Sequence, residues 1–133
     1  MKDTEFICDE FQTSVENCLM RHKSILDVIT KNQETSSRIN RAVAKSVTGC
    51  GCLNVKAKKQ QIPTEVKLQD LGSYMDTHLE GHLCDECREV LQQEIGNHLF
   101  YLVALCNLLD LSFYDIILTE TEKLSTLGIY NLS

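Results

Sequence analysis

Proline and long apolar runs are both scarce in this sequence, which has only one proline, Pro63, in its 133 residues. The longest apolar run, residues 99–106, falls far short of the roughly twenty residues that span a bilayer. The first ten residues mix acidic with apolar side chains and contain no apolar signal-peptide core. We therefore expect a cytoplasmic protein that neither spans nor associates with a membrane.

Excess positive charge is absent as well. The net charge is −6 and the isoelectric point is about 5.1, whereas nucleic-acid binding usually requires a basic surface. The glycine-rich phosphate loops, the HExxH zinc-protease motif and the GxSxG serine-hydrolase motif are all missing. With 43% hydrophobic and 24% charged residues, the composition is that of an ordinary globular protein, and the length predicts a single domain over residues 1–133.

Helical periodicity dominates the rest of the chain. Apolar residues at alternating three- and four-residue steps predict helices over residues 4–20, 24–47, 73–79, 85–109 and 113–127. Gly49 and Gly128 are expected to end the second and the last helix. The segment from about 49 to 72 reads as a connector. The fold class expected is all-α, a bundle of four main helices with a cysteine-rich loop.

Three serines, each followed three residues later by an aspartate, suggest where helices begin. They are Ser24, Ser73 and Ser112, and each is followed by apolar periodicity. In such a capping box the serine hydroxyl accepts the backbone N–H three residues on while the acid reaches back to the serine N–H. Strands are nearly absent from the pattern, although residues 53–55 and the final segment 128–133 could pair marginally.

The second half of the fourth predicted helix, residues 99–109, is apolar on nearly all sides and is expected to be the most buried element. Cys8, Cys18 and Cys106 fall on apolar faces, where cysteine behaves as a small hydrophobic residue. We expect them in the core, with His98 in the core or at its boundary and His22 on the surface.

The other four cysteines form two close pairs, Cys50-Gly-Cys52 at the end of one long helix and Cys84-Asp-Glu-Cys87 at the start of another. In a reducing compartment such pairs indicate metal ligands or redox groups rather than disulfides. If the two helices pack antiparallel, all four thiols meet and can hold one tetrahedral zinc ion. An iron–sulfur cluster would use the same ligands.

Other interpretations of these cysteines remain open. They can be reduced, half-buried side chains at a helix junction, or a redox pair, although the thioredoxin type needs a βαβ setting that this chain does not offer. His78 and His82 precede Cys84 closely enough to replace one of the thiols as a ligand.

The stretch EIGNHLFYLVALCNLLDL, residues 94–111, continued by FYDIILTETEK, residues 113–123, resembles the MazG-like all-α nucleoside triphosphate pyrophosphohydrolases. The resemblance covers roughly the last quarter to third of the chain. It implies magnesium held by acids from two helices, and a dimer that completes the helical core. Glu94 matches the first acid of the family's E-x-x-D set, but Asn97 stands where the aspartate is expected.

The helix that would supply the partner acids has only Glu34 in its central segment, together with Arg38 and Arg41. These cations would repel magnesium, so they are expected to pair with Glu94 or to contact an anion. A second acidic set, Glu86 and Glu89 with Glu94, is expected to be a solvated helix-start face.

Three functions follow from this sequence. The first is a catalytically degenerate MazG-like protein with a structural zinc site, a homodimer that acts through an unknown protein partner. The second is an active, magnesium-dependent nucleoside triphosphate pyrophosphohydrolase with Glu34, Glu94 and Asn97 as its catalytic residues. The third is a sensor in which thiol oxidation or metal occupancy changes helix packing.

Overall fold

The computed structural model describes residues 2–19 and 23–127, and this part of the chain is mostly helical. Two three-residue strands, β1 (Leu53–Val55) and β2 (Leu79–Gly81), form an antiparallel pair. A π-helical turn, Ser46–Cys50, continues the second helix, and a 3-10 helix spans Leu68–Tyr74. The α-helices of the described part are α1 (Lys2–Cys18), α2 (Ile25–Lys45), α3 (Asp85–Leu108) and α4 (Phe113–Leu127). The all-α class is thus confirmed in its coarse form.

Two of the three serines cap a helix, Ser112 through the predicted N–H three residues on and Ser24 through the N–H two residues on. The Ser24 hydroxyl accepts the Leu26 N–H at 3.2 Å at the start of α2. The Ser112 hydroxyl accepts the Asp115 N–H at 3.2 Å at the start of α4. Both contacts satisfy N–H groups that the first helical turn leaves without an intrahelical partner.

The third predicted cap is wrong, and so is the helix over residues 73–79. Ser73 lies within the 3-10 helix and donates its hydroxyl to the Asp70 carbonyl at 2.8 Å. The Asp76 carboxylate accepts the His78 N–H at 3.0 Å, a local turn that leads directly into β2. Strand pairing and aspartate turn chemistry therefore override the short apolar pattern.

The longest helices, α2 and α3, pack against each other in opposite directions. Asn32 of α2 donates to the Tyr101 carbonyl of α3 at 3.1 Å, and Thr35 lies 2.9 Å from His98 Nδ1. Residues later in α2 thus meet residues earlier in α3, as an antiparallel pair requires. His98 is half-buried at the boundary of the core, as predicted.

The hydrophobic core lies where α1, the start of α2 and the second half of α3 meet. Its buried members are Val15, Leu19, Val28, Val103 and Ala104. Phe11, Phe100 and Phe113 pack around them, and the Phe11 and Phe113 ring centroids are 6.2 Å apart. Burial of Val, Leu and Phe side chains contributes about 1.5–3 kcal/mol each relative to full exposure.

Gln12 fastens α1 to the corner between α3 and α4. Its side-chain amide donates to Asn107 Oδ1 at 2.8 Å and to the Leu111 carbonyl at 2.7 Å. Its side-chain oxygen accepts the Phe113 N–H at 2.8 Å. One side chain thereby satisfies polar groups at the end of α3 and the start of α4.

The expected all-round burial of α3 is not observed in the single chain. Leu91, Val103, Ala104 and Cys106 are buried, but Ile95, Leu99 and Leu102 keep 46%, 39% and 39% of their surface exposed. Cys8 and Cys106 are buried as predicted, whereas Cys18 is exposed, so its assignment to the core is wrong. His22 lies outside the described residues.

A sharp corner separates α3 from α4. Asp110 has a left-handed φ of 56°, and the Leu111 N–H donates to the Cys106 carbonyl at 2.9 Å, which closes the end of α3. Among the described helices, none is by itself long and apolar enough to cross a membrane. The pair Asp85–Leu108 and Phe113–Leu127 meets that criterion only when taken together, and it is bent by 106°.

Candidate metal centre

Four cysteines from two distant parts of the sequence meet at one end of the α2–α3 pair. The sulfur atoms of Cys50, Cys52, Cys84 and Cys87 all lie within 4.8 Å of one another. The Cys50 and Cys84 sulfurs are 3.7 Å apart. The sequence predicted this convergence from antiparallel packing, and the geometry confirms it. All four thiols are free, without a disulfide.

The first pair is positioned by the widened turn that follows α2. Ser46 is 1% exposed, and its carbonyl accepts the Gly51 N–H at 3.0 Å, closing the π-helical turn. The Cys52 thiol also points to the Ser46 carbonyl, at 3.8 Å. Gly51 has a left-handed φ of 82°, and it reverses the chain so that both sulfurs face the same side. The glycine that ends the helical run is thus Gly51, not Gly49 as expected from sequence.

The second pair opens α3. Cys84 is the N-cap residue, and its sulfur accepts the Cys87 N–H at 3.5 Å. Serine, threonine, aspartate or asparagine usually occupies such a position, because a side-chain acceptor satisfies an orphan N–H group. The positive end of the helix dipole favours a thiolate there.

The β1–β2 pair brings the two halves together. Leu53, directly after Cys52, pairs with Gly81, three residues before Cys84. Gly81 has a φ of 86°, and a Cβ placed on it would lie 2.4 Å from the Cys52 carbonyl oxygen. The two backbones therefore approach as closely as they do only because residue 81 has no side chain. Leu53 is buried and anchors the pair to the rest of the fold.

The sequence does not predict the pairing of β1 with β2, which brings the two thiol pairs together. The sequence predicts a marginal strand over residues 53–55, but its suggested partner, the segment 128–133, lies outside the described residues. The observed partner, β2, has three residues that are all exposed, so it carries no alternating apolar signal. Ser46 and Gly81 were missed as well; only the glycine between two histidine-bearing stretches could have indicated a close backbone approach.

The thiols differ in acidity because they share one small volume. The Cys87 N–H, together with the side chains of Cys87 and Cys50, lowers the pKa of Cys84 to about 7. Hydrogen bonding to Cys84 raises the pKa of Cys50. The Ser46 side chain lowers the pKa of Cys87, but Cys84, partial desolvation and the other two thiols outweigh it and raise that pKa to about 12. Cys84 is thus the thiol of the four that its surroundings favour most as a thiolate.

The donor set fits a single soft cation. A tetrahedral zinc ion with Zn–S bonds of about 2.3 Å places its sulfur ligands about 3.8 Å apart. The Cys50 and Cys84 sulfurs, 3.7 Å apart, are close to this separation. Because all four sulfurs lie within 4.8 Å of one another, the other pairs would move by only about 1 Å to reach it. His78 and His82 are not members of the cluster, and His78 instead lies 3.4 Å from the Gln60 amide nitrogen.

The acids that the MazG resemblance implies as magnesium ligands do not meet at one point. Glu34 forms ion pairs with Lys31 at 3.1 Å and with Arg38 at 2.9 Å, and these hydrogen bonds lower the pKa of Glu34. Asn97 is exposed. Among the described residues, the four cysteines are the one His/Cys/Asp/Glu group with ligand atoms close enough to share an ion. Glu34 and Glu94 do not take part in such a group.

The expected ion pair between Glu94 and the arginines of α2 is not formed. Arg38 pairs with Glu34, and Arg41 is exposed. Both arginines and Glu94 nevertheless line the same cleft of about 460 Å³, which also contacts Cys50 and Cys87. One carboxylate oxygen of Glu94 is inaccessible to solvent and has no hydrogen-bond partner among the described residues. Glu86 lines the cleft too, whereas Glu89 is exposed and does not.

The chain was compared with protein families, with curated proteins and with solved structures. No family model matches it, and no curated protein or solved structure matches it either.

Proposed function

We propose that this protein is a helical interaction module organised by one structural zinc ion, which Cys50, Cys52, Cys84 and Cys87 hold as thiolates. The observation that carries the proposal is the approach of all four sulfur atoms to within 4.8 Å. Four protein ligands leave no open position for a water molecule or substrate, which is typical of structural rather than catalytic zinc sites. An iron–sulfur cluster distributes its thiolates over several iron atoms, so the compact arrangement favours a single ion.

The ion would join several elements at one end of the α2–α3 pair. These are the turn after α2, the β1–β2 pair and the first turn of α3, none of which contributes to the core cluster around Val15 and Val103. Metal binding to such a site contributes directly to folding. Reduced thiols of this kind persist in a reducing compartment, consistent with the cytoplasm.

Metal content tests this proposal. Protein purified without added metal should contain one zinc per chain, and Cys84→Ser should lose it and unfold at lower denaturant concentration. Loss of a direct ligand should weaken zinc binding by more than the roughly 10–100-fold that loss of an outer-shell partner causes. Cys18→Ser is the matched control, because Cys18 is exposed and lies on α1. Metal-free protein with all thiols open to titration, or equal behaviour of the two variants, would contradict the proposal.

Within the MazG-like resemblance, we infer a degenerate four-helix scaffold rather than an active pyrophosphohydrolase. Glu34 is neutralised by two cations, and Asn97 offers only a neutral oxygen. Magnesium prefers clustered carboxylates, which these positions do not supply. We expect no magnesium-dependent release of pyrophosphate from a panel of nucleoside triphosphates. Turnover that Glu94→Ala abolishes would instead establish the enzyme.

We also propose that the chain forms a homodimer, because it exposes too much surface for a compact monomer. Its accessible area is 10272 Å², whereas a folded monomer of 15.1 kDa exposes about 7,100 Å². The ten residues outside the described ranges account for at most about 1,700 Å² of the surplus. What remains exceeds the roughly 800 Å² that each partner buries in a standard interface.

One face of the α2–α3 pair fits that interface. Its exposed apolar residues recur at helical steps on the side away from Arg38, Arg41 and Glu94; they are Ile25, Ile29, Val43, Ile95, Leu99 and Leu102. Packing two such faces would complete a four-helix arrangement around α2 and α3. A second copy of the chain carries the same face and is therefore the occupant proposed.

A thiol sensor is the second candidate function, and the 3.7 Å separation of Cys50 and Cys84 supports it. In the metal-free protein, the Cys84 thiolate would reduce hydrogen peroxide to water and become a sulfenic acid. The Cys50 thiol would then displace a second water and form a disulfide. Mass spectrometry after peroxide treatment should find this disulfide at substoichiometric peroxide. Oxidation spread evenly over all seven cysteines would exclude a dedicated sensor.

A further inference from the structure

The cleft between α2 and α3 has walls of opposite charge. Arg38, Arg41 and Lys45 line it from α2, and Glu86 and Glu94 line it from α3. Its volume of about 460 Å³ lies within the range of small-ligand pockets. Ala42 and Val90 add an apolar surface between the charged groups. The cleft is therefore polar at both walls and apolar between them.

The charges across this cleft do not neutralise each other. Arg38 forms an ion pair with Glu34 of its own helix. Among the described residues, no ion pair joins Arg41 or Lys45 to either acid of α3. The cationic and acidic walls are thus separated by a gap. A ligand that spans the gap would complement both walls at once, which neither a simple anion nor a metal cation can do.

Glu94 brings a carboxylate to the α3 wall of this cleft. One of its oxygens is inaccessible to solvent and has no hydrogen-bond partner among the described residues. A ligand that enters the cleft from solvent therefore meets the other oxygen of this carboxylate. An ammonium group is the strongest donor for such an acceptor.

We propose that the cleft binds a small zwitterion, a molecule with an acidic group, a primary ammonium group and an apolar body. The acidic group contacts Arg41 and Lys45, the ammonium group donates to Glu94, and the apolar body lies on Ala42 and Val90. Amino acids and phosphoamines share this chemistry. The proposal goes beyond the structural metal site and does not depend on which ion the thiols hold.

Calorimetric titration of the purified protein with matched probes tests the proposal. Leucine carries both charges, N-acetylleucine lacks the ammonium group, leucinamide lacks the carboxylate, and phosphoethanolamine replaces the carboxylate with phosphate. Leucine or phosphoethanolamine should bind with saturation, and whichever binds more tightly identifies the acidic group. If leucine is the tighter ligand, each of its two truncated analogues should bind at least about tenfold more weakly.

Two variants separate the walls. Arg41→Gln should weaken leucine and N-acetylleucine but leave leucinamide unchanged, and Glu94→Gln should weaken leucine and leucinamide but leave N-acetylleucine unchanged. Arg88→Gln and Glu89→Gln are the controls, since both residues are exposed on α3 and do not line the cleft. The absence of saturable binding by both zwitterions would overturn the proposal. Equal affinity for leucine and N-acetylleucine, or equal losses in the control variants, would overturn it as well.

Discussion

Cys84 differs from the other three clustered thiols because it accepts a backbone N–H at the start of a helix. Its pKa is lowered to about 7, while that of Cys87 is raised to about 12. The thiolate is the reactive form of cysteine. The two residues should therefore differ in reactivity although both are half-buried and only three positions apart.

In metal-free protein at pH 8, iodoacetamide should alkylate Cys84 at least about tenfold faster than Cys87. The lowered pKa keeps Cys84 mostly ionised above pH 7, so its rate should fall as the pH falls through about 7, where the thiol becomes protonated. Peptide mass spectrometry at early times measures both rates. Added zinc should protect both residues, and equal initial rates without metal would contradict this account of the site.

At the residue scale, the sequence predicts the convergence of the four thiols but not the acidity of each one. Two cysteines after one helix and two before another suffice to predict convergence, because antiparallel packing brings those helix ends together. The acidity of each thiol depends on which N–H groups and sulfurs surround it, and those contacts exist only in the fold. The same limit explains Glu94, whose expected ion pair is replaced by a pairing between Arg38 and Glu34 within α2.

The element on which the site depends most is the β1–β2 pair. It has only three residues in each strand, and two-stranded sheets of this size are marginal in water by themselves. Its register is fixed where Gly81 lies against the Cys52 carbonyl. The β1–β2 pair and an ion held by the four thiols should therefore stabilise each other.

Gly81→Ala should destabilise the protein and weaken zinc binding together. The added Cβ would lie 2.4 Å from the Cys52 carbonyl oxygen, and φ at this residue is 86°, so the β1–β2 pair must shift. We expect a loss of about 1–3 kcal/mol in unfolding free energy. Urea unfolding and chelator competition measure the two effects. Gly72→Ala is the control, because nothing lies within 4 Å of its Cβ position and its φ is not positive. Equal effects of both substitutions would remove the proposed role of Gly81.

Helices were predictable from this sequence to the extent that local chemistry decides them. Ser24 and Ser112 cap α2 and α4 because an apolar face follows each serine and packs into the fold. Ser73 shows the same local pattern, but it precedes β2, and pairing with β1 decides the conformation there. Strands that are short, exposed and far apart in the sequence leave no periodic signal, which is why the β1–β2 pairing could not be predicted.

At the scale of the whole molecule, the sequence predicts more burial than one chain provides. The apolar residues of α3 were expected inside, yet Ile95, Leu99 and Leu102 remain partly exposed. The proposed homodimer through the α2–α3 face would reconcile the sequence pattern with the observed surface.

Leu99→Glu should therefore convert the dimer to a monomer. Leu99 lies between Ile95 and Leu102 on the exposed face, and an uncompensated carboxylate buried there is strongly unfavourable. Light scattering coupled to size-exclusion chromatography should give twice the chain mass for the native protein and once that mass for the variant. Leu124→Glu, on α4 and outside this face, is the matched control and should remain dimeric. A native protein that is monomeric at micromolar concentrations would contradict the proposed interface.

The central claim is that two thiol pairs, which the paired strands β1 and β2 bring together, share one cation. X-ray absorption at the zinc edge of protein purified without added metal tests it most directly. The account predicts a single shell of four sulfur atoms at about 2.3 Å. A shell that contains nitrogen or oxygen ligands, or fewer than four sulfur atoms, would contradict it.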